Sequence, residues 1–151
     1  MTMANSESYT RLFTINEANA LLPVLRPLVD KILENIRRLR SASETVIRAE
    51  QLDPESPDLL DRLQENADIA QLVDQVKEWV AEIQRHGCIC KGAEQGLIDF
   101  PCMLGNEVVF LCWQIGEPSV NFWHRIEDGF AGRRPFLEND EPDSGSEPSL
   151  H

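Results

Sequence analysis

The chain has 151 residues, 42% of them hydrophobic and 26% charged, the length and composition of one folded domain rather than of two domains or a disordered chain. Its net charge of −12 includes five acids and no Lys or Arg in residues 137–151, so residues 1–136 keep −7. That body repels a phosphate backbone, and the basic groups Arg37, Arg38 and Arg40, or Arg133 with Arg134, are too small to reverse the field, so nucleic-acid binding is excluded as a leading function. No apolar run nears the roughly 18 residues a membrane span needs, and the opening MTMANSESYT has neither a basic nor an apolar targeting region. The expected compartment is the cytoplasm, with the four cysteines reduced.

Residues 1–12 are polar. Thr14-Ile15-Asn16-Glu17 has the pattern of a capping box, which predicts a helix from about residue 15. Ala18, Leu21, Leu25, Leu28, Ile32, Ile36 and Leu39 then recur at three- and four-residue steps, an amphipathic stripe carrying the helix to about residue 50. Pro23 and Pro27 interrupt it, and the loss of a backbone donor at each predicts a kink near Pro23 or a short helix followed by a long one.

Leu52 to Pro57 reads as a loop, with Ser56 as cap and Pro57 as first residue of a second helix over 57–86. Its stripe is Leu59, Leu63, Ile69, Val73, Val76, Val80 and Ile83, and Gly87 supplies the stop. The two helices form a hairpin whose apolar faces need further cover, from the rest of the chain or from a second copy, so a homodimer through the helices is expected.

From residue 97 the period changes to two. Leu97–Leu104 and Glu107–Ile115 flank Gly105-Asn106, a connection suited to a type II′ hairpin turn. That register pairs Ile98 with Trp113, Phe100 with Leu111, Cys102 with Val109 and Leu104 with Glu107, setting Ile98, Phe100, Cys102, Leu104, Val109, Leu111 and Trp113 toward the helices. The other face carries Leu97, Asp99, Pro101, Met103, Val108, Phe110, Cys112 and Gln114, with Asp99 opposite Cys112. A turn at Gly116–Ser119 predicts a third strand pairing Val120 with Ile115, Phe122 with Trp113 and His124 with Leu111. Trp123 then joins the Asp99 face, and Phe122 and His124 face the helices. A one-turn helix over 123–128 is the competing reading. The fold class is α+β, a helical hairpin over 14–87 followed by a β-rich segment over 88–136 whose antiparallel meander spans about 97–124. The tail 137–151 is expected to be disordered.

The runs LIDFP, LCWQIGEP, FWH and GFAGRRP, with ANALLP near the start, resemble an uncharacterised bacterial family, domain of unknown function 2203. The resemblance extends from Phe13 to Phe136 through Gly96, Asp99, Phe100, Pro101, Cys112, Trp113, Gly116, Glu117, Trp123, His124, Gly129, Gly132 and Arg133; Cys88, Cys90 and the tail stand outside it. It implies helices followed by a small sheet and brings no activity with it.

Asp99, Glu117, Trp123, His124 and Arg133 are the candidate ligand-binding residues. His124 with Glu117 and Asp99 has donors for a divalent metal such as zinc, manganese or iron, or for acid–base work near neutral pH, although nothing in the sequence requires a cofactor. The plainer alternative ties His124 to a backbone carbonyl and uses Glu117 to cap its turn. Arg133 suits a ligand carboxylate or phosphate as a fork, or a neighbouring Glu117 or Asp99 as a structural pin. His86-x-Cys88-x-Cys90 offers a further zinc set with Cys102 or Cys112, but the register puts the last two on opposite faces. Two functional readings follow: an interaction domain that dimerises through its helices, and a small-ligand or metal-binding protein, enzymatic or not, built on the motif residues.

Overall fold

The computed structural model describes residues 9–136; the acidic tail lies outside them. Helix α1 runs from Ile15 to Glu50 and opens on the expected capping box, with Glu17 N–H donating to Thr14 Oγ1 and Thr14 N–H to Glu17 Oε1. It is continuous through Pro23 and Pro27, so the alternative of a short helix followed by a long one does not occur. Both prolines are exposed while Leu22, Leu25, Leu28, Val29 and Ile32 are buried along the same stretch. At about 1.5–3 kcal/mol for each buried aliphatic side chain, this packing outweighs the cost of about 3 kcal/mol for each proline.

The second arm differs from the single helix expected over 57–86. It consists of α2, Leu59–Gln64, and α3, Ala67–Arg85. Asn66 caps α3, its Oδ1 accepting from the Asp68 and Ile69 amides at 3.0 and 3.2 Å, and this local bond competes with continued helix. The break also resolves the step of six between Leu63 and Ile69, which a 3.6-residue period does not bring to one face; both are buried. Ser56 is not the cap, since α2 begins at Leu59 with Asp58 in the N-cap position; the Ser56 hydroxyl donates to the Asp58 carboxylate and accepts the Asp58 amide. Gly87 follows α3 in the left-handed region at φ 98°, as the helix stop requires. No helix among the described residues is long and apolar enough to cross a membrane.

An antiparallel sheet follows in the order β1 to β5, with β1 Ile89–Gly92, β2 Leu97–Leu104, β3 Glu107–Gln114, β4 Phe122–Arg125 and β5 Arg134–Pro135. The meander is thus longer than the expected 97–124, gaining a short strand at each edge. The β2–β3 register is the expected one, including Ile98 opposite Trp113 and Asp99 opposite Cys112, and Gly105 takes φ 63° at the turn. Pro101 is accommodated in β2 because β1 pairs no further than Asp99 and its carbonyl accepts instead from Phe13 N–H at 2.7 Å.

Strand β4 is a strand and not a helical turn, but it sits one residue away from the expected register. Phe122 pairs with Cys112, Trp123 with Leu111 and His124 with Phe110. The cause lies in α1. Asn19 takes the Val120 backbone at both ends, accepting its N–H at 2.7 Å and donating to its carbonyl at 3.4 Å, and Arg26 donates to the Pro118 carbonyl at 2.7 Å. Val120 is therefore not free to pair with Ile115, whose N–H goes to the Gly96 carbonyl. A slip of one residue reverses every side chain of a strand. Trp123, 1% exposed, enters the core with Trp113, Leu25 and Ile32, while Phe122 and His124 join the Asp99 face.

Candidate functional site

The helix-facing side of the sheet is hydrocarbon: Ile98, Phe100, Cys102, Leu104, Val109, Leu111, Trp113 and Trp123 pack on α1 and on Ile83 of α3. The opposite side holds the polar chemistry. Asp99 of β2, Cys112 of β3 and His124 of β4 come from three neighbouring strands, each no more than 2% exposed. One ligand-capable atom from each lies within 4.8 Å of the others. His124 Nε2 is 3.4 Å from Asp99 Oδ2, and its Nδ1 is 2.7 Å from the Arg125 carbonyl. A carbonyl only accepts, so Nδ1 carries the hydrogen of that bond and Nε2 is the atom turned toward Asp99.

Burial pulls the His124 pKa down, but the hydrogen bonds to Asp99 and to the Arg125 carbonyl, with the carboxylate's charge, outweigh it and leave the value raised. The Cys112 thiol is pushed up to about 12, chiefly by burial and then by the neighbouring Asp99 charge, against the pull of Arg133. The ring of Phe110 stands edge-on to His124 at 5.6 Å, with Tyr9 edge-on to Phe110 at 5.9 Å and the Lys91 ammonium 5.0 Å from its centroid. An aromatic edge thus flanks His124 on this side.

The family model described as "Uncharacterized conserved protein (DUF2203)" matches residues 11–136. The chain belongs to that family. Neither a curated protein nor a solved structure matches the chain. Within this DUF2203 domain the expected site residues divide into three groups. Asp99 and His124 meet in the cluster. Glu117 and Arg133 meet each other instead, at 2.9 Å, with side chains 24% and 14% exposed. Trp123 lies on the opposite face of the sheet, in the core, and forms no part of the cluster; the reversed register of β4 put it there.

The Arg133–Glu117 pair is a pin. Glu117 Oε1 also accepts the Gln114 amide at 2.8 Å, and Arg133 donates to the Cys112 carbonyl at 3.4 Å. The guanidinium stacks on Phe122 and Phe130, 4.0 and 4.6 Å from their centroids. The C-terminal segment is thereby tied to the β3–β4 connection, next to the cluster but through the backbone of Cys112.

Cys112 joins Asp99 and His124 here, whereas from sequence it is a donor only for the set of His86, Cys88 and Cys90. The hairpin register alone sets Cys112 directly opposite Asp99; the β4 register expected from sequence turns His124 to the other face, so in that register the three do not converge. The remaining cysteines lie elsewhere. Cys88 is buried at the α3 end with Sγ 3.2 Å from the Ile83 carbonyl, its pKa pushed up to about 12 by burial, and Cys102 faces the helices.

A second feature lies at the far end of the hairpin. Beyond Asn35, α1 has no buried side chain. Ile36, Leu39 and Ile47 instead line, with Leu59, Leu60 and Leu63, an apolar groove of about 430 Å³. Leu60 is 69% exposed at its edge.

Proposed function

We propose that the protein is an interaction module that forms a homodimer through the distal half of its helical hairpin. The observation carrying this reading is the apolar groove between α1 and α2, lined from both sides by aliphatic residues and left open by the described residues. Exposed apolar surface of this kind has a cost in water that a partner removes. Net charge favours a second copy: residues 36–50 of α1 carry Arg37, Arg38, Arg40 and Arg48 against Glu44 and Glu50, whereas the loop and α2 carry Asp53, Glu55, Asp58 and Asp61 against Arg62, and Arg40 and Glu44 line the groove itself. A two-fold arrangement sets the basic helix of each protomer against the acidic one of its partner. The acidic overall balance disfavours nucleic acid as a partner. Buried thiols at Cys88 and Cys112 suit a reducing setting, the cytoplasm.

Sedimentation velocity on the purified chain tests this. A dimer that becomes a monomer in Leu60→Glu is the expected result; a wild-type chain that sediments as a monomer throughout its accessible concentration range defeats the proposal.

A second reading, a ligand-binding protein, is favoured by one observation, the convergence of Asp99, Cys112 and His124 in a buried site.

A further inference from the structure

Three atoms with electron pairs to donate, one each from strands β2, β3 and β4, lie within 4.8 Å of one another. The Arg125 carbonyl holds the Nδ1 hydrogen, so the Nε2 lone pair of a neutral His124 points at the Asp99 carboxylate 3.4 Å away. In a buried site such lone pairs repel unless a cation lies between them. A proton on Nε2 is one solution, and the Cys112 thiol then donates to Asp99. A metal ion is the other, and it uses all three donors at once.

We propose that Asp99, Cys112 and His124 bind a zinc ion. This rests on the ligand-binding reading and is independent of dimerisation. The donor set is one thiolate, one imidazole and one carboxylate, the mixture borderline-soft zinc accepts, whereas magnesium and calcium call for oxygen ligands. The spacing fits. Zinc bonds of about 2.0–2.3 Å place tetrahedral ligand atoms about 3.5 Å apart, and Asp99 and His124 already stand at 3.4 Å, with all three atoms inside 4.8 Å. The outer shell fits as well, because a metal-bound histidine characteristically donates its other ring N–H to a carbonyl or carboxylate, as His124 does to Arg125. Three protein ligands leave a fourth position to water or a small ligand.

The charges balance. With His124 protonated, Cys112 a thiol and Asp99 ionised, the metal-free site is neutral. Zinc displaces the Nε2 proton and the thiol proton, both going to solvent, and the site of Zn²⁺, thiolate, imidazole and carboxylate is again neutral. The buried position therefore tolerates both states without an uncompensated charge.

The test uses the full chain stripped of metal with a chelator and titrated with Co²⁺, whose spectrum reports thiolate ligation directly. The expected result is a near-ultraviolet thiolate-to-cobalt band with visible bands of tetrahedral intensity, saturating at one equivalent and bleached by equimolar Zn²⁺. Cys112→Ser should lose the near-ultraviolet band, and His124→Gln and Asp99→Asn should each weaken binding at least tenfold. Cys88→Ser/Cys90→Ser should leave the spectrum as it is. Absence of the band in the wild-type chain overturns the proposal without recourse to any variant, as does a band that survives Cys112→Ser and disappears in the Cys88/Cys90 variant. Sedimentation of the same samples keeps the two readings apart: a dimer without a cobalt spectrum sinks the zinc site alone, and a cobalt-binding monomer sinks dimerisation alone.

Discussion

The two ends of the molecule are built from similar amphipathic segments and finish differently. At the sheet end, α1 from Ala18 to Ile32 buries its stripe against eight inward-facing strand residues, and the backbone of the β3–β4 connection is held by Asn19 and Arg26 of the same helix. At the distal end the stripe continues through Ile36, Leu39 and Ile47 with, among the described residues, only α2 and the start of α3 beside it, and the groove stays open there. Helix periodicity is therefore no measure of how well a helix is covered. Coverage depends on what the rest of the chain brings to it, and in this chain the sheet is only long enough to close one end.

Substitutions sharpen or break that contrast. Trp123→Ala should be the most damaging, at about 3–5 kcal/mol, because it empties a ring-sized volume where the helices meet the sheet. Urea denaturation measures it, and a loss below about 1 kcal/mol would mean that β4 does not face Trp123 inward. Asn19→Ala removes two hydrogen bonds that hold Val120 and leaves its part-buried backbone groups without their partner; about 1–3 kcal/mol is expected. Since these bonds set the β4 register, the variant should also raise amide exchange at Phe122–Arg125, and unchanged protection there would assign the register to another cause. Asn66→Ala strips the α3 cap and should cost about 1 kcal/mol, seen as a proportionate drop in melting temperature with no change at the sheet. Leu60→Glu should move the stability of the protomer by no more than about 0.5 kcal/mol, as for other exposed positions. A fall comparable to that of Trp123→Ala, measured at concentrations where the chain is monomeric, would show that the distal groove is already part of the core.

The candidate site was half legible. Alternation along Leu97–Leu104 and Glu107–Gln114 with a glycine-first turn was enough to place Asp99 opposite Cys112 on the face away from the helices, and the structure has that pairing. His124 is recognisable by residue type, but the expected β4 register turns it toward the helices, and the candidate set Asp99, Glu117, Trp123, His124 and Arg133 lacks Cys112. Arg133 was read both as a ligand fork and as a pin, and the Glu117 contact at 2.9 Å gives the pin its partner.

What the sequence by itself determined are the features written in neighbouring residues: the Thr14–Glu17 capping box, the three- and four-residue stripe of α1, the Gly87 stop, and the β2–β3 hairpin with its two faces. Each depends on backbone geometry repeating over a few residues, which local side-chain chemistry is sufficient to specify. Only the tertiary structure decided the register of β4, the convergence of Asp99, Cys112 and His124, and the passage of α1 through two prolines. These depend on partners far apart in the chain, above all Asn19 holding Val120 across 101 positions, and on burial that outweighs a local proline penalty. A strand shifted by one residue still satisfies the same local pattern; long-range hydrogen bonds and the volume of Trp123 select which of the two faces of β4 turns inward.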